Sequence, residues 1–422
     1  MELFKSRLDG INNIIQGNYP KAYSQYGSAL SKSLMSEGLQ KGMTGITDST
    51  DSKVSTKVNF GDLETYYGTH RFSFSEPHIG PHPDFAHLGH NDYLNHYAVS
   101  MFIDIKGSTF LSNKYDLLKV RLIKDTILTM AIEVCSFFGG HIQRLQGDGV
   151  FVYFVRSEMD SRDAVINALN ASSLLTYMMR YKVSEFFERD EVKAPGIRIG
   201  IDYGSAEKTL WSYYGLAYCN ELTTTGLHTD LAAKLQAKAS HNGIMLGQNI
   251  IQELGLTDAL VSHDSSDLYI FNNSYRKYEF KWADYLKSFD FFKNDSNGRL
   301  TMEPPVYKLR CEIAENENAP FVEYQQNLYS IPKDYKVRFT LLENGYEYTL
   351  KTAHGESIKW EINNSGKQAK DDSKTTEVMK DSDNQTQCEA NAKYLGHHYM
   401  RCRILRTGSI TNANVKFPVF VR

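Results

Sequence analysis

AVSMFIDIKGST (residues 98–109) and GGHIQRLQGDGVFVYFV (residues 139–155) decide how the rest of this chain reads. The first is an apolar run that closes on Asp104 and a Gly-Ser-Thr turn, the pattern of a buried strand over 98–105. In the second, HIQRLQ and VFVYFV flank Gly147-Asp148, a two-residue signal that predicts a hairpin. Between them Leu117, Leu118, Leu122, Ile123, Ile127, Met130, Val134 and Phe137 fall on one helical stripe, so a helix is expected over 113–138, ended by Gly139 and Gly140. Further on come a second long helix over about 160–187, the strand IRIGIDYG (197–204), a helix over 225–239 and the short strand GIMLG (243–247). Strand, helix, hairpin, helix, strand is the order of a ferredoxin-like β-α-β-β-α-β sheet, an α+β fold.

Outward from this block the chain is less regular. Residues 1–93 read as a helical and irregular extension, with Leu3, Leu8, Ile11, Ile14 and Ile15 at helical spacing and a polar loop over Thr44–Lys57. His70, His78, His82, His87, His90 and His96 crowd into 70–96. Pro77, Pro81 and Pro83 break any element that could fix a ligand geometry there, so a polar loop is the expectation. Residues 94–250 form the ferredoxin-like domain, 251–330 a connector, and 331–422 a β-sandwich of short strands such as YKVRFTLL, IKWEINN and VKFPVFV, with a polar insert over 363–390. Trp360 and Tyr394 are expected in the core of that sandwich.

The composition of the 422 residues, 41% hydrophobic and 23% charged, is that of an ordinary globular protein. A formal charge of −3 provides no basic field for nucleic-acid binding. No run reaches the length of a membrane span. Five scattered cysteines without a CxxC suggest reduced thiols and a cytoplasmic location.

Asp104 and Asp148 each sit where an apolar strand ends, and in a ferredoxin-like sheet those two ends are neighbours. Hard oxygen ligands beside the Lys106-Gly107-Ser108-Thr109 turn, whose amides can receive phosphate, are what Mg²⁺ or Mn²⁺ with a triphosphate requires. Either Asp alone is also ordinary turn chemistry; the pair is the signal.

These residues, with IRIGIDYG and TGLHTDLAAKL after them, resemble the class III nucleotidyl cyclase domain over about 97–247. The resemblance implies a head-to-tail homodimer with two composite sites. It implies two divalent ions, Mn²⁺ or Mg²⁺, held at Asp104, Ile105 and Asp148. The reaction would be attack of a ribose 3′-hydroxyl on the α-phosphate, giving a 3′,5′-cyclic nucleotide and pyrophosphate. Where purine cyclases of the family carry base-reading residues, this chain has Arg144 and Thr223. Arg144 can donate to carbonyl oxygens such as a pyrimidine O2 or uracil O4, although it also reads as an exposed strand residue. At the places of the family's transition-state pair stand Asp230 and Lys234, which could equally form a helix-internal salt bridge.

The C-terminal segment resembles the sandwich sensor of bacterial anti-phage cyclases. The whole is similar to the pyrimidine cyclases of Pycsar defence, in which a Tyr before the first metal Asp accompanies uridylate synthesis. Tyr97, seven positions before Asp104, takes that place or is simply a strand-start aromatic. The expectation is therefore a uridylate cyclase converting UTP to cyclic UMP, which acts on a separate effector. A cytidylate cyclase, a purine cyclase and a catalytically inactive sensor remain open.

Overall fold

The computed structural model describes residues 4–17, 60–68, 77–189, 192–270, 273–326, 328–351, 355–406 and 409–422. The expected loop over Thr44–Lys57, His70 and most of the helix expected over 1–50 lie outside these residues.

Seven strands form one sheet in the order Gly140–Gln146, Gly149–Phe154, Ala98–Lys106, Gly196–Gly204, Gly243–Gly247, Asn273–Phe280 and Val261–Ile270. The first four have the ferredoxin-like arrangement. Neighbours are antiparallel except Gly196–Gly204 with Gly243–Gly247, which are parallel and joined through the helix Leu227–Lys238. Along Ala98–Lys106 the side chains alternate. Val99, Met101, Ile103 and Ile105 are buried in the main core, which also holds Ile123, Ile127 and Met130 of Leu117–Phe137 and Val165 and Leu169 of Ser161–Met178. Ser100, Phe102 and Asp104 take the other face, where Phe102 stacks on Phe151 at 4.2 Å. Leu227–Lys238 also lies on that face, joined through Thr229 to Ser100 (3.1 Å).

The helix expected over 113–138 runs over Leu117–Phe137, and a separate short helix, Ser108–Lys114, precedes it. Tyr115 is extended, and the Asp116 carboxylate caps a new helix, Leu117–Phe137, by accepting from the Lys119 N–H at 2.9 Å. Of the N-terminal extension, Lys5–Ile15 packs Leu8, Ile11 and Ile15 into the core and is held to Leu117–Phe137 by a buried Arg7–Glu133 ion pair at 2.8 Å. The histidine stretch is irregular over 77–92, as expected, and His78, His87 and His90 are exposed, but His82 turns inward. His82 is fully buried and packs on His141, and burial holds their pKa values down to about 2 and about 4, so both are neutral.

The expected connector is divided between two units. Val261–Ile270 and Asn273–Phe280 complete the large sheet, Trp282–Leu286 is a buried helix, and Tyr307–Ala314 with Val322–Tyr324 belong to the sandwich. The boundary therefore falls between Phe280 and Tyr307 rather than at 330. The reason is pairing: Tyr307–Ala314 matches Lys336–Glu343 along its whole length, with Leu309, Cys311 and Ile313 facing inward. The opposite sheet runs Ser330–Ile331, Ser409–Val421, Gly396–Arg406, Glu356–Asn363 and Thr376–Val378. Trp360 is fully buried between the sheets and donates its indole N–H to Gln385 O at 2.9 Å. Tyr394, expected beside it, instead is half-buried and lines a cleft at the sandwich edge with Asn391 and Lys393, because it precedes the Gly396–Arg406 strand rather than lying in it.

Candidate active site

Backbone pairing alone brings the two acids together. Asp104 is in register with Gly149, and the Ile105 N–H donates to Asp148 O at 3.2 Å. Gly147, at φ +64°, makes the tight turn that carries Asp148. Gly107, at φ +91°, turns the chain from the strand into the short helix Ser108–Lys114, so Lys106, Ser108 and Thr109 stay beside Asp104. Ile105 contributes only main chain here, since its side chain is buried in the core.

Each acid already has a cation. Arg198 places both Nε (3.1 Å) and Nη2 on Asp104 Oδ2, and Gln236 Nε2 donates to the same oxygen at 3.3 Å. Lys124 Nζ lies 3.4 Å from Asp148 Oδ2. All contacts on Asp104 thus converge on Oδ2, and both carboxylates remain about a quarter exposed (25% and 26%). Among the described residues no group of three His, Cys, Asp or Glu could hold a metal by itself. Two half-open carboxylates nonetheless suit Mg²⁺ or Mn²⁺, which complete their shells with water and phosphate oxygens, and Asp104 and Asp148 would hold them.

The other expected residues lie elsewhere. Arg144 is exposed on the same strand as the hairpin turn, and its guanidinium grips the Glu221 carboxylate through Nε (3.0 Å) and Nη2. Gln143 holds Glu221 from the side, at 3.0 Å, and donates to Leu222 O at 2.7 Å. Thr223 shares the Tyr153 hydroxyl (3.1 Å), placing it next to this group. Asp230 and Lys234 both lie on the exposed side of Leu227–Lys238, and no ion pair joins them among the described residues. Tyr97 departs from its expected role. It is 8% exposed, its hydroxyl is bonded to the main-chain N–H and O of Arg156 (3.2 Å each), and it stands at the far end of the strand from Asp104. Burial raises its pKa. It is a core aromatic of this chain.

Four residues of this region carry no motif in the sequence: Arg198, Gln236, Lys124 and Glu221. Arg198 had a signal, because it opens the strand IRIGIDYG that runs antiparallel to FIDIK, and counting that register puts it opposite Asp104. Lys124 and Glu221 had none, since their partners are set by helix rotation and by a hairpin, Leu210–Leu216 with Cys219–Thr225, that the sequence reading did not identify.

A ferredoxin-like sheet with paired carboxylates at adjoining strand ends, each beside one cation (Arg198 and Lys124), and joined to a β-sandwich is the architecture of a nucleotidyl cyclase with an appended sensor. Residues 280–422 match the Adenylyl/Guanylyl and SMODS C-terminal sensor domain. The chain is 35% identical over 374 residues to a cytidylate cyclase of Staphylococcus aureus, covering 85% of this chain and 86% of that protein. It is 41% identical over 188 residues to a cytidylate cyclase of Escherichia coli, covering 43% and 41% respectively. The chain belongs to the class III nucleotidyl cyclase family and carries this sensor domain at its C-terminal end. Among solved structures, the adenylyl cyclase CyaB from P. aeruginosa is similar over 45% of this chain and 95% of its own, at 18% identity and a TM-score of 0.40. The guanylyl cyclase Cya2 covers 45% and 92% at 15% identity and a TM-score of 0.38.

Proposed function

We propose that this chain is a pyrimidine nucleotide cyclase and that its substrate is CTP, converted to 3′,5′-cyclic CMP and pyrophosphate. Support for the class of base comes from the cytidylate cyclase of S. aureus, which resembles the chain over most of its length. The observation that carries CTP over UTP is the Arg144–Glu221 pair. A free guanidinium offers donors only, which favours the carbonyl-rich edge of uracil. With Glu221 bound to it, the same place offers a carboxylate acceptor, the partner that a cytosine N4 amino group needs. The uridylate reading rests on Arg144 and Tyr97, and the hydroxyl of Tyr97 is already taken by main chain.

At the other end of the nucleotide, Asp104 and Asp148 are the residues for divalent ions, which when bound polarise the α-phosphate and the 3′-oxygen. Arg198 and Lys124 hold positive charge against those carboxylates and stand next to any triphosphate bound there. The Gly107 turn sets the Ser108 and Thr109 amides toward phosphate. Asp230 and Lys234, exposed on their helix, serve the site of a second copy in a homodimer with two composite sites. Mixing Asp104→Ala with Lys234→Ala chains should then restore activity that neither has alone. By the resemblance to Pycsar cyclases, the product acts as a messenger on a separate effector during phage infection.

The test is incubation of the purified chain with each of CTP, UTP, ATP and GTP plus Mn²⁺ or Mg²⁺, with products separated by chromatography. Cyclic CMP as the main product is expected. Cyclic UMP instead would return the uridylate reading, and no product from any triphosphate would favour an inactive sensor. Glu221→Gln should lower kcat/KM for CTP about tenfold or more while sparing UTP.

A further inference from the structure

The two cations beside the paired carboxylates are held with unequal firmness. Arg198 lies on the strand next to Asp104, in register with it, and meets Oδ2 through Nε at 3.1 Å and through Nη2. Its planar fork, with the Gln236 donor at 3.3 Å, fixes that arrangement. Lys124 comes from the other side of the sheet. It belongs to Leu117–Phe137, whose Ile123 and Ile127 pack in the main core against the strand that carries Asp104. Its one carboxylate contact among the described residues is Asp148 Oδ2, 3.4 Å from Nζ, and its side chain is 31% exposed.

A single ion pair with both ends this open adds little to folding. Its larger effect is on what else Asp148 can hold. A divalent ion bound by that carboxylate would stand next to the ammonium, and like charges so close repel far more strongly than they do in bulk water. Lysine can yield the place, because a flexible four-carbon stem carries its charge and part of that stem is open to solvent. A triphosphate at the same carboxylate gives the displaced ammonium new anionic oxygens to meet. Without one, leaving Asp148 costs Lys124 its partner.

We propose that Lys124 is a displaceable counter-ion of Asp148 that couples metal binding to the triphosphate: a divalent ion binds the free chain weakly, and binds firmly when a triphosphate draws the ammonium off the carboxylate. This rests on the reading of Asp148 as a metal carboxylate. The coupling is reciprocal, so the ion in turn raises the affinity for triphosphate, by freeing Lys124 to meet it. Arg198 repels an ion at Asp104 in the same way, but it is unchanged in any Lys124 variant and drops out of the comparison.

Mn²⁺ is the probe, titrated into the full chain without nucleotide, with the free ion counted by electron paramagnetic resonance. Lys124→Met, which removes the charge and adds no oxygen ligand, should bind Mn²⁺ about tenfold or more tightly than wild type. Lys124→Arg keeps the charge and should not. In saturating Mn²⁺, inorganic triphosphate should bind Lys124→Met more weakly than wild type, as calorimetry would report. A merely structural ion pair would move Tm and neither affinity. Equal or weaker Mn²⁺ binding in Lys124→Met, or equal triphosphate affinity, would overturn the proposal. Asp148→Asn separates this from the metal reading: if it weakens Mn²⁺ binding while Lys124→Met matches wild type, only the counter-ion role falls. Mn²⁺ binding unchanged in Asp148→Asn would overturn both.

Discussion

Asp202 has no place in the paired-carboxylate site, yet its ionisation is tied to folding. It is fully buried, accepts from the Tyr275 hydroxyl at 2.7 Å and from the Tyr203 N–H at 2.9 Å, and burial outweighs both bonds to push its carboxyl up to about 7. The unfolded chain ionises it near pH ~4. Between roughly pH 4 and 7 the folded state therefore holds a proton that the unfolded state has lost, so this carboxyl's contribution to stability falls as pH rises through that window and levels off above it. Asp202→Asn removes the titration. The difference in Tm between variant and wild type should shift in the variant's favour from about pH 5 to about pH 7.5. A pH-independent difference would mean the acid is ionised in the fold. Arg198 belongs to the site itself. Arg198→Lys keeps the charge but loses the fork that meets Asp104 Oδ2 through two nitrogens, so turnover should drop about tenfold with Tm little changed, as product formation would report.

Elements are where sequence and structure agree best, and the exceptions have physical causes. The Ala98–Lys106 strand and the Gly140–Phe154 hairpin were legible because both are apolar runs bounded by glycine, and their register then puts Asp104 beside Asp148 with no further information. Val261–Ile270 was not legible. It is an edge strand reading VSHDSSDLYI, and the Lys277 opposite it is buried through an ion pair with Asp264 rather than by apolar contact. The stripe from Leu117 to Phe137 marked the long helix, and only the Asp116 cap fixes its start after the extended Tyr115. Gly200 shows a constraint that periodicity does not carry. A Cβ there would stand 2.1 Å from Gln236 N and 2.2 Å from Ala232 O, so Leu227–Lys238 sits directly on the strand. Both clashing atoms are main chain and cannot swing aside. Gly200→Ala should cost about 2 kcal/mol or more in a denaturant titration and should also displace Gln236 from Asp104, lowering activity in whatever fraction folds.

Across the whole molecule, the sandwich is tied to the cyclase unit at the first turns of one helix. The Ser330 N–H and hydroxyl both donate to Asp163 Oδ1 at 2.6 Å, Arg422 Nη1 lies 3.2 Å from Asp160 Oδ2, and Asn167 donates to Leu328 O at 3.1 Å. Ser161–Met178 follows directly on the strand that carries Asp148's hairpin, so this tie links the sensor to the catalytic sheet through one helix. Asp163 is an acid in a largely buried place, where desolvation raises its pKa and the Ser330 donors oppose that rise. Ser330→Ala removes the hydroxyl donor and leaves a carboxylate short of a partner. At neutral pH the cost should be about 1–3 kcal/mol, the usual penalty for an under-satisfied buried acceptor. Protonated Asp163 needs that donor less, so the penalty should shrink as pH falls toward the carboxyl's own raised pKa. Adding Arg422→Ala should deepen the loss and expose amides around 160–167 and 328–331 to hydrogen exchange, while those of 98–106 stay protected. Equal exchange across both regions would mean that the two units unfold as one and that the tie is not where they part.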